Sequence, residues 1–534
     1  MPGNSEVTET HSHLSRDFGI LGLVSVAWNV INIFGGLSYI FVVGFSAGGL
    51  PSIFYGFIGA TCCVVCLIAT LAECAAMFPT AGIVTTQEAS CGAYHFATFL
   101  APPKYRRLVG YPMGWFNFLG WVLTEAACCA IFSGLVYSMA VLCNPDFVQG
   151  GRWQLFLVYV AVAAIAWLCN LYMLKIIPYL ENAGCWISLT AFLAFFVTLL
   201  ALSKKADPAS VFVDIVNETG YSSNAMAVVL GLYNSMAAWM CLDGACHLAE
   251  EVPNPTRNIP KILYLSIGVQ FLVGVVWILA IGFSIENIDV VINSPTGVPI
   301  VELVRQATNS NGAAIVFNLV LLINYFAATV GSALTSSRQG FALARDGGLF
   351  FKRHLTRVDP KFKVPTYSVH FCFFLVVLVG IIYLLSTEGF NAILGAEVAF
   401  MILAYAAPAF IMLCIGRSTL PKTPFSLGKF LGHFCCIVTI VYSFAVLILV
   451  MIPMTHPVTA ESMNYTILIF GISFIIMGIS WFSDARTAYQ PPSFKAFVEK
   501  VPIETEKGGL GIEGALEITQ EKEQRSIDTS EIRM

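Results

Sequence analysis

Twelve long apolar runs are the feature that most restricts how this chain can fold. A helix needs about 20 predominantly apolar residues to cross the hydrocarbon core of a bilayer. The predicted spans are 18–45, 50–77, 110–142, 153–175, 180–203, 225–248, 262–284, 312–338, 366–386, 390–415, 431–453 and 464–483. The sequence therefore predicts an all-α membrane protein with twelve transmembrane helices.

Charged residues are too few to cover a water-facing surface. They make up 11% of the 534 residues, whereas about 25% is usual in a soluble chain. The 28 Lys and Arg form no basic patch, which argues against nucleic-acid binding. Many of the 16 Cys lie inside apolar runs, and none has the spacing of a metal site, so we expect no metal and no other cofactor.

The distribution of positive charge predicts the orientation of the chain in the bilayer. Lys and Arg are enriched in cytoplasmic loops. With the N-terminus inside, the outer loops hold 4 of them, the inner segments 17 and the tail after the last span 7. Residues 1–17 and a Glu-rich, disordered tail over 484–534 are therefore predicted to lie in the cytoplasm.

Two predicted spans carry a polar, glycine-containing interruption in the middle of an apolar run. The first lies between Trp28 and Ser38, and the second lies five spans later, between Trp239 and His247. Many secondary transporters bind substrate where helices unwind in matching positions of two inverted repeats. Glycines that only permit close helix packing are the alternative, but the matched pair favours a functional interpretation.

Several motifs resemble those of the amino acid–polyamine–organocation (APC) superfamily of permeases. The matching segments are HLAEEVPNPTRNIPK (247–261), FALARDGGL (341–349), VDP (358–360), VP (364–365), FNAI (390–393) and YAAP (405–408). APPKY (101–105) and GW (114–115) resemble the fungal amino acid/choline permease branch in particular. One departure is PTAGI at 79–83, where relatives usually carry Pro-x-x-Gly-Gly.

The resemblance implies a LeuT-like fold that works by alternating access. Two inverted five-helix repeats would occupy about 18–203 and 225–415, and two peripheral helices would follow within 431–483. It also implies a plasma-membrane location and substrate contacts at both breaks. Those contacts would come from Asn32, Ile33, Phe34, Gly35, Gly36, Ala238, Trp239, Met240 and Asp243.

Intramembrane acids and aromatic rings extend the candidate site. An isolated charge at mid-bilayer costs at least about 2.5–3.5 kcal/mol, so Asp243, Glu125 and Glu397 are functional candidates. The alternative is a neutral carboxyl that is hydrogen-bonded between helices. The ring candidates are Trp28, Phe34, Trp115, Trp121, Tyr233, Trp239 and Tyr325. Aromatic faces hold quaternary ammonium groups, although most rings in such a chain pack against helices or lipid.

The sequence predicts a transporter that is not an enzyme, because it contains no P-loop or HExxH motif. Choline or a related quaternary amine is the favoured solute, imported with or without a coupling proton. A permease for 4-aminobutyrate or neutral amino acids is the alternative, with the substrate carboxylate at the N–H groups of Phe34 to Gly36. A non-transporting nutrient receptor is a third possibility, which the short tails disfavour.

Overall fold

A computed structural model of the chain describes residues 20–78, 92–147, 150–247, 254–362, 364–421, 423–460 and 462–492. Within these ranges the regular secondary structure is helical, and one isolated β-bridge joins Ala47 and Asn217. The segment 79–83, where the sequence departs from the family motif, lies outside the described residues, as does part of the 247–261 motif. The N-terminal tail and most of the C-terminal tail also lie outside them.

Twenty α-helices follow one another along the described chain. They are α1 (Ile20–Ile31), α2 (Ile33–Ser46), α3 (Gly49–Met77), α4 (Gly92–Leu100), α5 (Arg106–Cys143), α6 (Arg152–Tyr172), α7 (Ile177–Leu202), α8 (Pro208–Phe212), α9 (Asn224–Ala237), α10 (Gly244–His247), α11 (Pro255–Phe283), α12 (Ile288–Ile292), α13 (Pro299–Thr308), α14 (Asn311–Arg345), α15 (Lys352–Leu355), α16 (Thr366–Leu385), α17 (Thr387–Ile415), α18 (Lys429–Leu449), α19 (Thr466–Ser480) and α20 (Arg486–Ala488).

The all-α membrane architecture predicted from the sequence is confirmed. In the described residues, 11 helical segments are long and apolar enough to cross a bilayer, with α1 and α2 counted as one. The remaining predicted span is the broken one, in which α9 ends at Ala237 and α10 begins at Gly244. Helix α11 begins seven residues before the predicted span, and α14 ends seven residues after its predicted span. A count of apolar residues does not detect polar residues at the ends of a helix.

Helix α5 lies at the centre of the bundle and packs extensively against α14 and α17. Glycines allow these close approaches. A Cβ atom on Gly120 of α5 would lie 2.8 Å from Met401 of α17, and one on Gly340 of α14 would lie 2.9 Å from Phe118 of α5. The broken pair α1 and α2 contacts α7, α11 and α14, so the first break lies inside the bundle.

One end of the bundle, which we call the α4 end, is closed by a buried polar cluster. The Tyr94 hydroxyl donates to Oδ2 of Asp346 (2.7 Å) and lies 3.0 Å from the Tyr489 hydroxyl. Burial alone would raise the pKa of Asp346, but the charge of Arg345 and the hydrogen bond from Tyr94 hold that pKa below its usual value. The cluster therefore stabilises an ionised carboxylate beneath α4.

The segment after α19 packs into this same end. A π-helical turn, Trp481–Ala485, leads into α20, and Tyr489 behind it is buried. The Gln490 N–H donates to the Asp346 carbonyl (2.9 Å). Residues 484–490, which we predicted to be part of a disordered tail, are therefore packed against the bundle, and the rest of that tail, from 493 on, lies outside the described residues.

Candidate functional site

Asn32 forms the break in the first span. Its φ of 52° and ψ of 49° lie in the left-handed region, which Asn tolerates better than most residues. Its side-chain oxygen accepts from the Gly35 N–H (3.1 Å), and its carbonyl accepts from the Gly36 N–H (2.7 Å). A single residue thus ends α1 and caps α2, at the position that the sequence predicts.

The two glycines after this break have different surroundings. A Cβ atom on Gly35 would lie 2.6 Å from the side-chain oxygens of both Asn32 and Asn324. A Cβ atom on Gly36 would meet no heavy atom within 4 Å, and Gly36 is partly exposed. Gly35 is therefore required for packing, whereas Gly36 borders an open space.

Alanine substitutions at these two glycines should have opposite effects. Gly35→Ala should destabilise the protein by about 1–3 kcal/mol, because the added methyl group overpacks the break. Gly36→Ala has room for its methyl group, so it should keep the wild-type melting temperature while raising the KM of the transported solute. Thermal unfolding in detergent, followed by uptake kinetics, measures both effects. A Gly35→Ala protein as stable as wild type would contradict this account of the break.

The second break runs from Ala238 to Asp243 and contains Cys241 at a φ of 60°. Asp243 is fully buried at its end, with both carboxylate oxygens occupied. Tyr405 donates to Oδ1 (2.6 Å), Asn117 donates to Oδ2 (2.9 Å), and His247 Nε2 lies 2.8 Å from Oδ2. Direct contact between Asp243 and a substrate stays a prediction.

His247 connects this carboxylate to Trp121. The Trp121 indole N–H points to His247 Nε2 (3.1 Å), and Gln339 Nε2 lies 2.6 Å from His247 Nδ1. A Cβ atom on Gly92, the first residue of α4, would lie 2.5 Å from the His247 ring. We call Asn117, Trp121, Asp243, His247, Gln339 and Tyr405 the gate cluster, since it fills the space between the second break and the α4 end.

A group of aromatic rings packs around Tyr39, on the face of α2 that carries Gly36. Tyr39 lies three positions after Gly36, on the same face of α2. Its ring centroid lies 6.4 Å from that of Tyr325 and 6.3 Å from that of Phe390, both in edge-on geometry. Tyr39 and Phe390 are partly exposed. Sequence reasoning missed both rings as site residues, although the helical spacing from Gly36 was a usable signal for Tyr39.

Glu397 places a carboxyl group close to these rings. Its Oε1 accepts from the Thr124 hydroxyl (3.0 Å) and lies 3.8 Å from the Cys241 thiol of the second break. The carboxylate is within electrostatic range of the Tyr233 and Tyr325 hydroxyls. We call Gly36, Tyr39, Tyr233, Tyr325, Phe390 and Glu397 the aromatic cavity.

Access to this region lies at the end opposite α4. Tyr233 is partly exposed and lines a cavity of about 210 Å³. The other walls are the first turns of α17 and the connection between α18 and α19. Tyr233 is thus the member of the aromatic cavity that lines this opening, while the gate cluster lies toward the α4 end.

Most of the remaining predicted site residues lie in helix packing. Trp239 is fully buried and stacks on Phe57 (centroids 5.3 Å apart). The side chain of Phe34 packs edge-on against Trp277 (4.9 Å). The Trp115 indole N–H donates to the Gly348 carbonyl (3.1 Å). Other buried members of the predicted site are Trp28, Ile33, Ala238 and Met240. Contact between substrate and these side chains stays a prediction.

Two intramembrane acids lie away from the rings. Glu125 accepts from the Ser336 hydroxyl (2.8 Å) between α5 and α14. Glu181 is fully buried in α7 and bonded to Asn29 of α1. Glu181 was not among the acids that we predicted from the sequence. It lies only one position inside the predicted span 180–203, where an acidic residue usually belongs to a hydrated helix end. Helix α7 begins at Ile177 and places it inside the bundle.

Comparison with known proteins agrees with this architecture. A profile of the amino acid permease family matches residues 21–474. A choline transporter of Saccharomyces cerevisiae is 31% identical over 455 residues, which cover 85% of this chain and 78% of that protein. A swainsonine transporter of Arthroderma benhamiae is 27% identical over 91% of this chain and 94% of its own length. An amino-acid permease of Arabidopsis thaliana is 24% identical over 90% and 93%, respectively.

The helical bundle with its two broken spans is that of a multi-pass membrane protein, and the matching family and relatives are permeases and transporters rather than enzymes. The chain belongs to the amino acid permease family of the APC superfamily, whose profile covers most of its length. The resemblance drawn from the sequence motifs is thus confirmed.

Proposed function

We propose that the protein imports choline or a related quaternary amine by alternating access, driven by the proton gradient. The similarity to a choline transporter supports this substrate class. The observation that carries the proposal is the aromatic cavity, in which the Tyr39 ring lies edge-on to those of Tyr325 and Phe390, close to one carboxyl group. Each aromatic face contributes about 0.5–2 kcal/mol to binding a quaternary ammonium, depending on desolvation.

The N-terminus of α2 favours a substrate without a carboxylate. A zwitterion such as 4-aminobutyrate needs free backbone N–H groups at this helix end. The Ile33 N–H donates to Gln270 Oε1 (3.1 Å), and the Gly35 and Gly36 N–H groups donate to Asn32. Two of the three N–H groups that such a carboxylate would use, those of Gly35 and Gly36, are therefore occupied, and the helix end offers less to an anion. Choline has no carboxylate and needs no free N–H groups at this helix end.

Freeing one of these donors should widen the specificity. Gln270→Met keeps the side-chain volume but removes the acceptor from the Ile33 N–H. A hydrogen bond to a charged group contributes about 1.5–3 kcal/mol, so 4-aminobutyrate should compete about tenfold better against choline uptake in this variant. Ser266→Ala, one turn earlier on α11, is the control and should leave competition unchanged. Equal competition in Gln270→Met and wild type would contradict the role given to this helix end.

The orientation that the positive charges predict supports import, because it places the opening at Tyr233 on the outside. The α4 end carries Lys104, Arg107, Arg345 and Lys352, so we place it in the cytoplasm. The gate cluster then closes the cytoplasmic side, and the cavity at Tyr233 opens to the outside. Both termini lie inside in this orientation, and the plasma membrane is the location that we propose.

Uptake by proteoliposomes tests the substrate. Purified protein should take up labelled choline, and excess unlabelled 4-aminobutyrate should leave that uptake unchanged. Choline uptake that 4-aminobutyrate abolishes, or uptake of 4-aminobutyrate alone, would overturn the substrate assignment in favour of an amino-acid permease. Binding of choline without flux would point to the nutrient receptor instead.

A further inference from the structure

A buried carboxyl–amide pair joins α1 to α7. Nδ2 of Asn29 donates to Oε2 of Glu181 (2.7 Å) and to the Glu181 carbonyl (2.8 Å). Both residues are fully buried. Asn29 lies three positions before the break at Asn32, so the pair lies about one helical turn from the candidate substrate site.

One hydrogen is missing from this pair. Oε1 of Glu181 and Oδ1 of Asn29 are both buried without a hydrogen-bond partner. An ionised carboxylate and an amide oxygen only accept hydrogen bonds, and a buried acceptor without a donor costs about 1–3 kcal/mol. A proton on Oε1 of Glu181 removes the buried charge and converts this oxygen from an acceptor without a partner into a donor.

The surroundings of Glu181 contain no compensating positive charge in the part of the chain that the structure describes. Its electrostatic neighbours there are Asn29 and the Cys185 thiol, one turn further along α7. From α14 it faces Gly331, on which a Cβ atom would lie 3.0 Å from Oε1. From α1, Ser25 bonds to Asn182 instead (2.7 Å). An ionised Glu181 is therefore an uncompensated buried charge, which proteins avoid.

We propose that Glu181 binds the coupling proton and that the Asn29–Glu181 pair transmits its presence to the first break. This inference rests on the proton coupling in the proposed function. An O–H bond forms on the Glu181 carboxylate when the proton enters from the outside, and α1 then stays paired with α7. The same bond breaks, and the proton leaves to the cytoplasm, when the first break moves and separates the two helices.

Glu181→Gln tests the transport consequence. The added amide N–H₂ is a permanent donor in the position of the proton, so the α1–α7 pair should form without protonation. Exchange of labelled for unlabelled choline should stay within about twofold of wild type, whereas stimulation of uptake by an imposed proton gradient should be lost. Ser25→Ala removes a hydrogen bond between the same helices without a titratable group, and should keep the stimulation. A Glu181→Gln protein that is fully stimulated by the gradient would overturn the proposal.

Infrared spectroscopy tests the bound proton without any substrate. The difference between wild-type and Glu181→Gln spectra near neutral pH should contain the carbonyl stretch of a protonated carboxyl, and this band should disappear at higher pH. Absence of the band at every pH at which the protein is folded would overturn the proposal. Its loss when sodium replaces potassium in the buffer would overturn it in favour of a sodium site. If the band is present in a protein that does not transport choline, the substrate assignment is wrong, but the proton site on Glu181 is retained.

Discussion

Glu397→Gln should raise the KM for choline by about tenfold to a hundredfold. Two unit charges about 5 Å apart attract by about 3 kcal/mol at an effective dielectric constant of about 20, and the desolvation of the pair offsets part of this. The Glu397 carboxyl lies within electrostatic range of the Tyr233 and Tyr325 hydroxyls of the aromatic cavity. Glutamine retains the acceptor for the Thr124 hydroxyl, so the packing should survive while the charge is lost.

A neutral isostere of choline provides the internal control. In 3,3-dimethyl-1-butanol a carbon atom replaces the quaternary nitrogen, so the shape is kept and the charge is absent. Inhibition of choline uptake by this alcohol should be similar in wild type and Glu397→Gln. An equal loss of affinity for both solutes would show that Glu397 shapes the cavity, and would contradict its role as the counter-charge of the substrate.

Arg417→Met should be the most destabilising single substitution considered for this protein. Arg417, in a 3₁₀ turn after α17, forms a buried ion pair with Glu73 of α3. The Leu427 N–H also donates to Glu73 Oε1 (3.0 Å). Removing one partner of a buried pair costs about 3–5 kcal/mol, because the other charge stays buried. The apparent melting temperature in detergent should fall by several degrees.

The matched double variant separates charge from packing. In Glu73→Gln/Arg417→Met the buried charge is gone and the glutamine oxygen still accepts from the Leu427 N–H. Much of the lost stability should therefore return. A double variant as unstable as Arg417→Met alone would mean that the arginine acts through its contact with Gly432, where the guanidinium lies against the backbone of α18.

Local sequence patterns were sufficient to predict the two breaks and the approximate positions of the spans. Asn32 stands in an apolar run, where only a residue that tolerates left-handed backbone and caps the next helix fits. Glu73 shows the limit of such reasoning. An acid so close to a helix end is usually hydrated, but Glu73 is buried because it pairs with Arg417, which lies 344 residues later in the sequence. Pairings across that distance leave no local signal.

The candidate site was predictable only in part for the same reason. The charge of Asp243 was visible, but its three partners come from α5, α10 and α17. Trp239 adjoins the second break in sequence, yet its ring turns toward Phe57 on α3. The aromatic cavity combines Tyr39, Tyr325 and Phe390 from three helices. Which rings converge is decided by tertiary packing.

Accumulation of labelled choline against its own gradient tests the central claim most directly. Proteoliposomes that hold the purified protein would be given equal choline on both sides and an inward proton gradient. The account predicts that internal choline rises above the external concentration, that a protonophore abolishes the rise, and that empty liposomes show none. Equilibration of choline without accumulation would contradict proton-coupled transport and leave a facilitative carrier. No choline movement under either condition would contradict the proposed function itself.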